Sequence, residues 1–242
     1  MADANGIRTS AAVVASLILG LSLIICAVIG SRTLITVKGL GKTIRVTGAA
    51  VEPIRSDYAI WEGYVSVQTP QTESGYSKLK GDMQKVVGFM HDAGFSDDQY
   101  EIGTVNILRN YNRDNVLTGY TLSQSVKIEL DDVERIARLA ENASGLIEKG
   151  VMMESRHPRF LFTGLDTLKV EMIRRATENA KLRAEQLAES TGRKVGPPIS
   201  AGVGVFQIRP LHSQEVSGYG ISDETSIDKE IVSTVHIDFL IE

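Results

Sequence analysis

The chain has 242 residues, 43% of them hydrophobic, so it is long enough to bury one large core or two smaller ones. Its formal net charge of -4 argues against a nucleic-acid-binding protein, which normally presents a basic face to the phosphates. The single cysteine, Cys26, leaves the rest of the chain without a disulfide framework, a zinc knuckle or a thiol nucleophile.

The N-terminal segment contains an uninterrupted apolar run. Residues 11–29 read AAVVASLILGLSLIICAVI and carry no charge, close to the roughly 20 residues that a helix needs to cross a bilayer. A cleaved signal peptide has a shorter apolar centre and ends at a small-x-small site, for which this run offers only a weak match. We therefore predict an N-terminal tail at residues 1–10 and an uncleaved transmembrane anchor at residues 11–30, with a cleaved signal as the alternative.

Charge does not decide on which side of the membrane the rest of the chain lies. Arg32, Lys38, Lys42 and Arg45 follow the apolar run closely, and the positive-inside rule alone would place the large domain in the cytoplasm. The absence of cysteine after residue 26 is compatible with export but does not require it. Both sides stay open at this point.

Residues 36–43, TVKGLGKT, end like a phosphate-binding loop. Such a loop requires a glycine five positions before Gly41, where this chain has Thr36. It also requires a helix next, whereas the alternation of residues 44–47 predicts a strand. The stretch is interpreted as a glycine-containing turn, and residues 31–43 as a linker with a first extended segment.

The following residues predict two strand pairs separated by a helix. Residues 44–47 and 59–67 alternate between apolar and polar side chains and are joined by a turn. Residues 72–93 carry apolar side chains at helical spacing. Residues 102–111 and 117–130 return to strand character.

The second half of the chain predicts more helix than strand. Asp131 or Asp132 is suited to cap a helix over residues 133–148, and residues 159–162 predict a short strand. Residues 203–208 and 232–241 predict the closing strands.

A helix over residues 166–190 is the longest predicted after the anchor. It carries an alanine every fourth residue, at Ala176, Ala180, Ala184 and Ala188. This ladder allows close approach either to the chain's own sheet or to a second copy, and burial in the chain's own core is favoured.

The predicted order of elements indicates an α+β domain over residues 44–242. Hairpins alternate with helices, so we expect a mixed or mainly antiparallel sheet with helices on one face, preceded by one N-terminal transmembrane helix. Residues 209–230 predict a polar loop that is either mobile or ordered by a neighbouring subunit.

Four histidines are the first candidates for catalysis or metal binding. None of His91, His157, His212 and His236 has a second ligand at metal-binding helical spacing. His91 falls at a helix end, where an imidazolium interacts favourably with the helix dipole, so a capping role is favoured.

Other catalytic patterns are absent from the sequence. There is no Gly-x-Ser-x-Gly elbow and no calcium-binding loop. Three pairs of adjacent carboxylates are interpreted as caps and solvated loops. These pairs are Asp97-Asp98, Asp131-Asp132 and Asp223-Glu224. The sequence therefore predicts no catalytic, cofactor-binding or metal-binding residue.

Four stretches, in order, resemble a known family. They are IRVTGAAVEPIRSDYAIWEGYVSV at residues 44–67, GFSDDQYEIGTVNI at 94–107, GYTLSQSVKIELDDVERI at 119–136, and the Phe-containing strand with its alanine-rich helix at 160–196. Together they are similar to the SIMPL-domain family over residues 44–208.

The resemblance implies an exported bacterial protein, periplasmic or membrane-attached, with no established enzymatic activity. Relatives assemble into ring-like or channel-like homo-oligomers, and the family is linked to oxidative-stress tolerance. The long apolar segment and the polar loop at residues 209–230 depart from the family pattern.

We therefore expect a non-enzymatic scaffolding protein that forms a ring-like or channel-like homo-oligomer. Residues 11–30 would hold it in a bacterial membrane with its domain on the periplasmic side, and no nucleic acid, cofactor or metal is expected. A binding module for a small apolar ligand or a partner protein is the alternative. A hydrolase, whose histidines would have to converge in the fold, is the third hypothesis.

Overall fold

The computed structural model describes the backbone of residues 3–39 and 43–242, and the side chains of residues 16–34 and 43–242. The chain divides into two compact units. Unit 1 contains Met1–Gly48, Thr177–Val203 and Val235–Glu242, and unit 2 contains Ala49–Ala176 and Gly204–Thr234.

The described elements are mixed in type, with helices and strands alternating along the chain. The α-helices are α1 (Asp3–Gly39), α2 (Thr72–Asp92), α3 (Val133–Asn142), α4 (Gly145–Glu148) and α5 (Leu165–Ser190). The strands are β1 (Thr43–Arg55), β2 (Tyr58–Thr69), β3 (Tyr100–Ile102), β4 (Asn106–Tyr111), β5 (Leu117–Leu130), β6 (Met153–Ser155), β7 (Arg159–Leu161), β8 (Val195–Val203), β9 (Gln207–Pro210), β10 (Ile221–Ser222) and β11 (Asp228–Ile241).

Helix α1 contains the apolar run. Its Ser16–Leu34 part has 19 residues with a mean hydropathy of 2.1, and none of it is buried. By length and composition this part can cross a membrane, as either an anchor or a signal sequence.

Helix α1 also extends further than the sequence predicted. It continues to Gly39, where an extended segment was expected within residues 31–43. Apolar β-branched residues are compatible with both states, and a helix that is already formed gains one backbone hydrogen bond with each added residue. Gly41 and Lys42 of the loop-like stretch lie outside the described residues.

Unit 2 is built on an antiparallel sheet with helices on one face. The sheet has the order β3-β5-β2-β6, with β4 also beside β5 and β7 also beside β2. Strands β2 and β5 pair from Ala59↔Leu130 to Thr69↔Tyr120. Trp61 and Val65 on one face of β2 are fully buried, in a core with Leu79 of α2 and Ile136 of α3. The predicted α+β class is confirmed.

Strand β11 organises the remaining strands. In unit 2, β9 pairs antiparallel with the first part of β11, and β10 pairs parallel with β9. In unit 1, β8 pairs antiparallel with the second part of β11, from Val235↔Val203 to Ile241↔Val195. Strand β1 also lies beside β11, and Arg45 binds Asp238 through both guanidinium branches at 2.6 and 2.9 Å.

The alanine ladder of α5 is buried within the chain. Ala176, Ala180, Ala184 and Ala188 are at most 1% exposed, so the predicted burial in the chain's own core is confirmed. In unit 1, Arg183 donates to the carbonyl oxygen of Thr47 at 3.0 Å, so α5 runs alongside β1 there.

Several predicted boundaries differ from the structure. The sequence missed β6, which is too short for a periodic signal, and β8, whose two prolines are typical of a turn. Proline is nevertheless tolerated in an edge strand. The strand predicted at residues 203–208 is in fact the end of β8, a break and the start of β9. The helix predicted at residues 133–148 is interrupted between α3 and α4.

The segment predicted as a polar loop at residues 209–230 includes β10 and the start of β11. Its ends are joined by Arg209 and Glu230, whose Nε and Oε1 atoms lie 2.7 Å apart with only 14% and 12% of the side chains exposed. Lys229 is 2% exposed and donates from Nζ to the carbonyl oxygens of Phe160 and Asp223 at 2.6 and 2.5 Å. Burial lowers the pKa of this amine. Unit 2 itself therefore holds this segment at several points.

Candidate functional site

A groove in unit 2 is the cavity that forms the main candidate site. It has a volume of about 850 Å³ and lies between α3, the connection from β6 to β7, and residues 225–228. This volume falls within the roughly 300 to 1,000 Å³ that is usual for ligand pockets.

Helix α3 forms one wall of the groove. Asp132 caps the helix by accepting a hydrogen bond from the backbone N–H of Arg135 at 3.0 Å, as predicted. The large apolar side chains of α3, including Ile136, are buried in the core, whereas Ala137 and Ala140 line the groove. Because these two side chains are small, the helix surface is recessed along this face.

The connection from β6 to β7 forms the opposite wall. Trp61, which is fully buried, donates from Nε1 to the hydroxyl oxygen of Ser155 at 3.0 Å. His157 lies in this wall, with its Nε2 atom 3.2 Å from the carbonyl oxygen of Thr225 and its ring edge-on to Phe160. These contacts hold the wall in place without a second chain.

The interior of the groove is mainly apolar and its charged groups lie at the rim. The apolar lining includes Ala137, Ala140, Met153, Phe160 and Ile227. At the rim, Asp228 forms an ion pair with Arg55, whose Nη1 atom lies 3.0 Å from Oδ1 of Asp228. Glu141 is also exposed there and forms no ion pair with any described residue. The polar side chains of Ser155 and His157 have separate partners, Trp61 and the carbonyl oxygen of Thr225.

The four histidines have different local contacts. His157 is in the groove, His212 lies in a turn with a φ of 65°, and His236 has its Nδ1 atom 2.8 Å from the Thr47 hydroxyl. Within the described ranges, no group of three or more histidine, cysteine or acidic residues could hold a metal ion.

His91 belongs to a small polar cluster at the end of α2. Its Nε2 atom lies 2.7 Å from Asp97 Oδ1, which also accepts a hydrogen bond from the Tyr100 hydroxyl at 2.5 Å. Burial and the bond to Asp97 raise the pKa of Tyr100 to about 12, and the bonds from Tyr100 and His91 lower the pKa of Asp97. The cluster joins the end of α2 to the residues at 97–100 that follow it.

Three other carboxylates of the adjacent pairs, Asp98, Asp223 and Glu224, have hydrogen-bond or ion-pair partners. Asp98 accepts a hydrogen bond from the Ser96 hydroxyl at 2.5 Å, and Asp223 accepts one from the Thr225 hydroxyl at 2.7 Å. Glu224 is paired with Arg159 at 2.6 Å, which the sequence did not predict.

A second exposed apolar surface is the hairpin formed by β4 and the start of β5, called the β4–β5 hairpin below. Five large apolar side chains are between 43% and 62% exposed on it. They are Ile107, Leu108, Tyr111, Val116 and Leu117. No described strand pairs with the outer edge of β4. The sequence analysis predicted these strands but missed their exposure.

One signal in the sequence could have revealed that exposure. Ile107 and Leu108 are adjacent, and neighbours in a strand point to opposite faces, so both cannot enter one core.

Comparisons with known proteins identify a family. The sequence model of the family SIMPL, described as a protein of unknown function (DUF541), matches residues 44–239. No curated protein matches the chain. Among solved structures, the de novo designed protein Foldit4 is similar at 20% sequence identity over 41% of this chain and 93% of its own, with a TM-score of 0.26. That score is too low to support any argument about function.

Proposed function

The chain belongs to the SIMPL (DUF541) family, and from that premise we propose that it is a membrane-anchored, non-enzymatic protein that assembles into a closed homo-oligomer. Helix α1 supports the anchor, because Ser16–Leu34 is long and apolar enough to cross a bilayer. The scaffolding role and a link to stress tolerance of the cell envelope are parts of the same proposal.

The observation that carries the proposal is the β4–β5 hairpin. It combines an unpaired strand edge with five exposed large apolar side chains. Soluble proteins usually protect such edges with charges, prolines or covering segments, because an exposed edge pairs readily with another chain. Burial against a second copy would satisfy the edge and remove apolar area from water.

The test is the mass of the full-length protein in detergent, measured by light scattering and corrected for bound detergent. The wild-type chain is expected to give one finite multiple of 26.3 kDa. Leu108→Lys places a charge on the hairpin and should shift the protein towards monomer. Leu182→Lys on α5 is the matched control, because Leu182 is 52% exposed and Leu108 is 62% exposed. A wild-type monomer at every concentration would refute the proposal.

We also propose that the domain after the anchor lies on the extracytoplasmic side, as the family resemblance implies. The positive charges after the apolar run favour the opposite side, so a direct test is needed. In a Cys26→Ser background, Gln214→Cys offers one exposed thiol. A membrane-impermeant maleimide should label it in intact spheroplasts, and labelling only after lysis would place the domain in the cytoplasm.

The groove favours a second candidate function, the binding of a small apolar ligand. Its volume and apolar lining suit such a ligand. Ala140→Phe should fill the groove, displace a co-purified ligand from the mass spectrum and abolish any ligand-induced rise in Tm, whereas Ala140→Ser should leave both unchanged. A wild-type protein that carries no ligand and shows no rise in Tm would count against this candidate.

A further inference from the structure

We propose that the groove of one copy receives the β4–β5 hairpin of the next copy. This inference rests on the proposed self-assembly and identifies the two surfaces that meet. Both surfaces lie in unit 2, in a part of the chain that the structure describes.

The sheet of unit 2 places the two surfaces at opposite edges. Strand β4 lies beside β5 on one side, whereas β6 and β7 lie beside β2 on the other. A contact between opposite edges is head-to-tail, because each copy uses one surface for the preceding copy and the other for the next. Such contacts produce a ring when the rotation between copies closes, and an open filament when it does not.

The shape of the hairpin matches a groove better than a flat surface. Ile107 is opposite Leu122 and Leu108 is opposite Thr121, so the two apolar side chains lie on opposite faces of the hairpin. A flat partner would cover only one of these faces. The walls of the groove, formed by α3 and the connection from β6 to β7, would cover both.

The hairpin is ordered before it meets a partner. The Asn112 side chain accepts hydrogen bonds from the backbone N–H groups of Asp114 and Val116 at 3.0 and 2.9 Å. The Thr118 hydroxyl donates to the carbonyl oxygen of Asn110 at 3.1 Å, across the two strands. A preformed hairpin loses little conformational entropy on docking, which favours association.

One charge at the tip and one at the rim have opposite signs. Arg113 lies exposed at the tip of the hairpin, and Glu141 lies exposed at the rim of the groove. Neither side chain forms an ion pair with another described residue. Opposite charges that face each other across an interface fix its register and raise the association rate.

The free edge of β8 is less suited to this role. Strand β8 contains Pro197 and Pro198, which have no backbone N–H to donate to an added strand. Strand β4 contains no proline, so each N–H group on its outer edge can donate.

Charge reversal and rescue in the full-length protein in detergent test the pairing. Arg113→Glu and Glu141→Arg should each weaken assembly by about tenfold in the dissociation constant at low salt. The double variant should restore the wild-type mass, which also shows that both substitutions are tolerated by the fold. Arg193→Glu, an exposed arginine outside both surfaces, is the matched control and should have no effect.

Filling the groove provides an independent test. Ala140→Trp should reduce the assembled fraction, whereas Ala140→Ser should not. The Tm of each variant, followed by circular dichroism, verifies that it is folded.

The outcomes separate this inference from the proposed function. A wild-type monomer would overturn both. An assembled wild type whose mass is unchanged by Arg113→Glu, Glu141→Arg and Ala140→Trp would overturn the docking inference and leave self-assembly intact. Loss of a co-purified ligand in Ala140→Trp without a change in mass would likewise overturn it, because the groove would then hold the ligand.

Discussion

Two helices of this protein present small side chains along one face. In α5 that face is covered, whereas in α3 it lines a groove. On α5, Ala180, Ala184 and Ala188 are at most 1% exposed, because unit 1 covers them. On α3, Ala137 and Ala140 line an open groove of about 850 Å³. In one helix the chain itself fills the space that small residues leave, and in the other that space stays open.

The difference shows how to interpret small residues in a helix. Such residues allow close approach, but the approaching group can be the chain's own backbone, a ligand or another subunit. Which of these three groups approaches the helix depends on the position of the helix relative to its neighbours in the fold. An uncovered face of small residues beside an apolar lining is therefore the better candidate for binding.

The buried side of α3 and the exposed groove residue Ile147 of α4 should differ most in stability. Ile136→Ala should lower the free energy of unfolding by about 2 to 5 kcal/mol, because Ile136 is fully buried in the core. Ile147→Ala should change it by no more than about 0.5 kcal/mol, because Ile147 is 60% exposed on the groove. Urea unfolding followed by the fluorescence of Trp61, the single tryptophan, measures both. Equal losses would mean that the groove wall belongs to the core.

Enlarging one alanine on each helix tests the comparison directly. Ala184→Leu should lower the free energy of unfolding by about 1 to 3 kcal/mol, because the added methylene groups have no space in a packed interior. Ala140→Leu extends into the groove and should change it by no more than about 0.5 kcal/mol. Thermal unfolding by circular dichroism checks both, and a larger loss for Ala140→Leu would reverse the comparison.

The cap of α3 should make a smaller contribution. Asp132→Ala removes the hydrogen bond to the Arg135 N–H and should cost about 1 kcal/mol. Asp131→Ala is the control, because the neighbouring Asp131 is exposed and makes no capping bond in the described structure. If both variants lose the same stability in urea, the loss comes from charge rather than from the cap.

The smallest expected effect is a pH dependence in unit 1. Hydrogen bonds from Arg45 and Ser200 lower the pKa of Asp238 to about 2, against about 3.9 for an ordinary aspartate. A carboxyl group with a lowered folded-state pKa adds stability above the unfolded-state pKa. That contribution disappears as the pH falls through the folded-state value.

Asp238→Asn should therefore lower Tm at pH 6, and the difference from the wild type should shrink as the pH falls from about 5 to about 2. Asp166→Asn is the control, because its only described ion pair, to Lys169, is long at 3.9 Å. A difference that stays constant over this range would contradict the role of the ionised carboxylate.

Much of the fold could be predicted from local patterns. The helix predicted at residues 72–93 is observed as Thr72–Asp92, and the one predicted at residues 166–190 as Leu165–Ser190. Both have strong helical spacing and a glycine that follows their end, at Gly94 and Gly192. Short or proline-containing strands were missed because their pairing partners lie far away in the sequence.

The candidate site could be predicted far less well. Ser155, His157 and Ile227 line the same groove as Ala140 only because α3, the connection from β6 to β7 and the residues before β11 come together in unit 2. The buried position of Lys229 was also unexpected, since lysine is usually exposed and its acceptors here are distant backbone carbonyls.

The sequence by itself determined the apolar span of α1, the α+β class, the long helices, the cap at Asp132 and the family. These depend on composition, on spacing within a few residues, or on the order of short motifs. Tertiary structure alone decided that the alanines of α5 are covered, that those of α3 are open, and that the β4–β5 hairpin is exposed. The physical reason is that burial is a property of the neighbours that folding brings to a residue, and those neighbours come from distant parts of the chain.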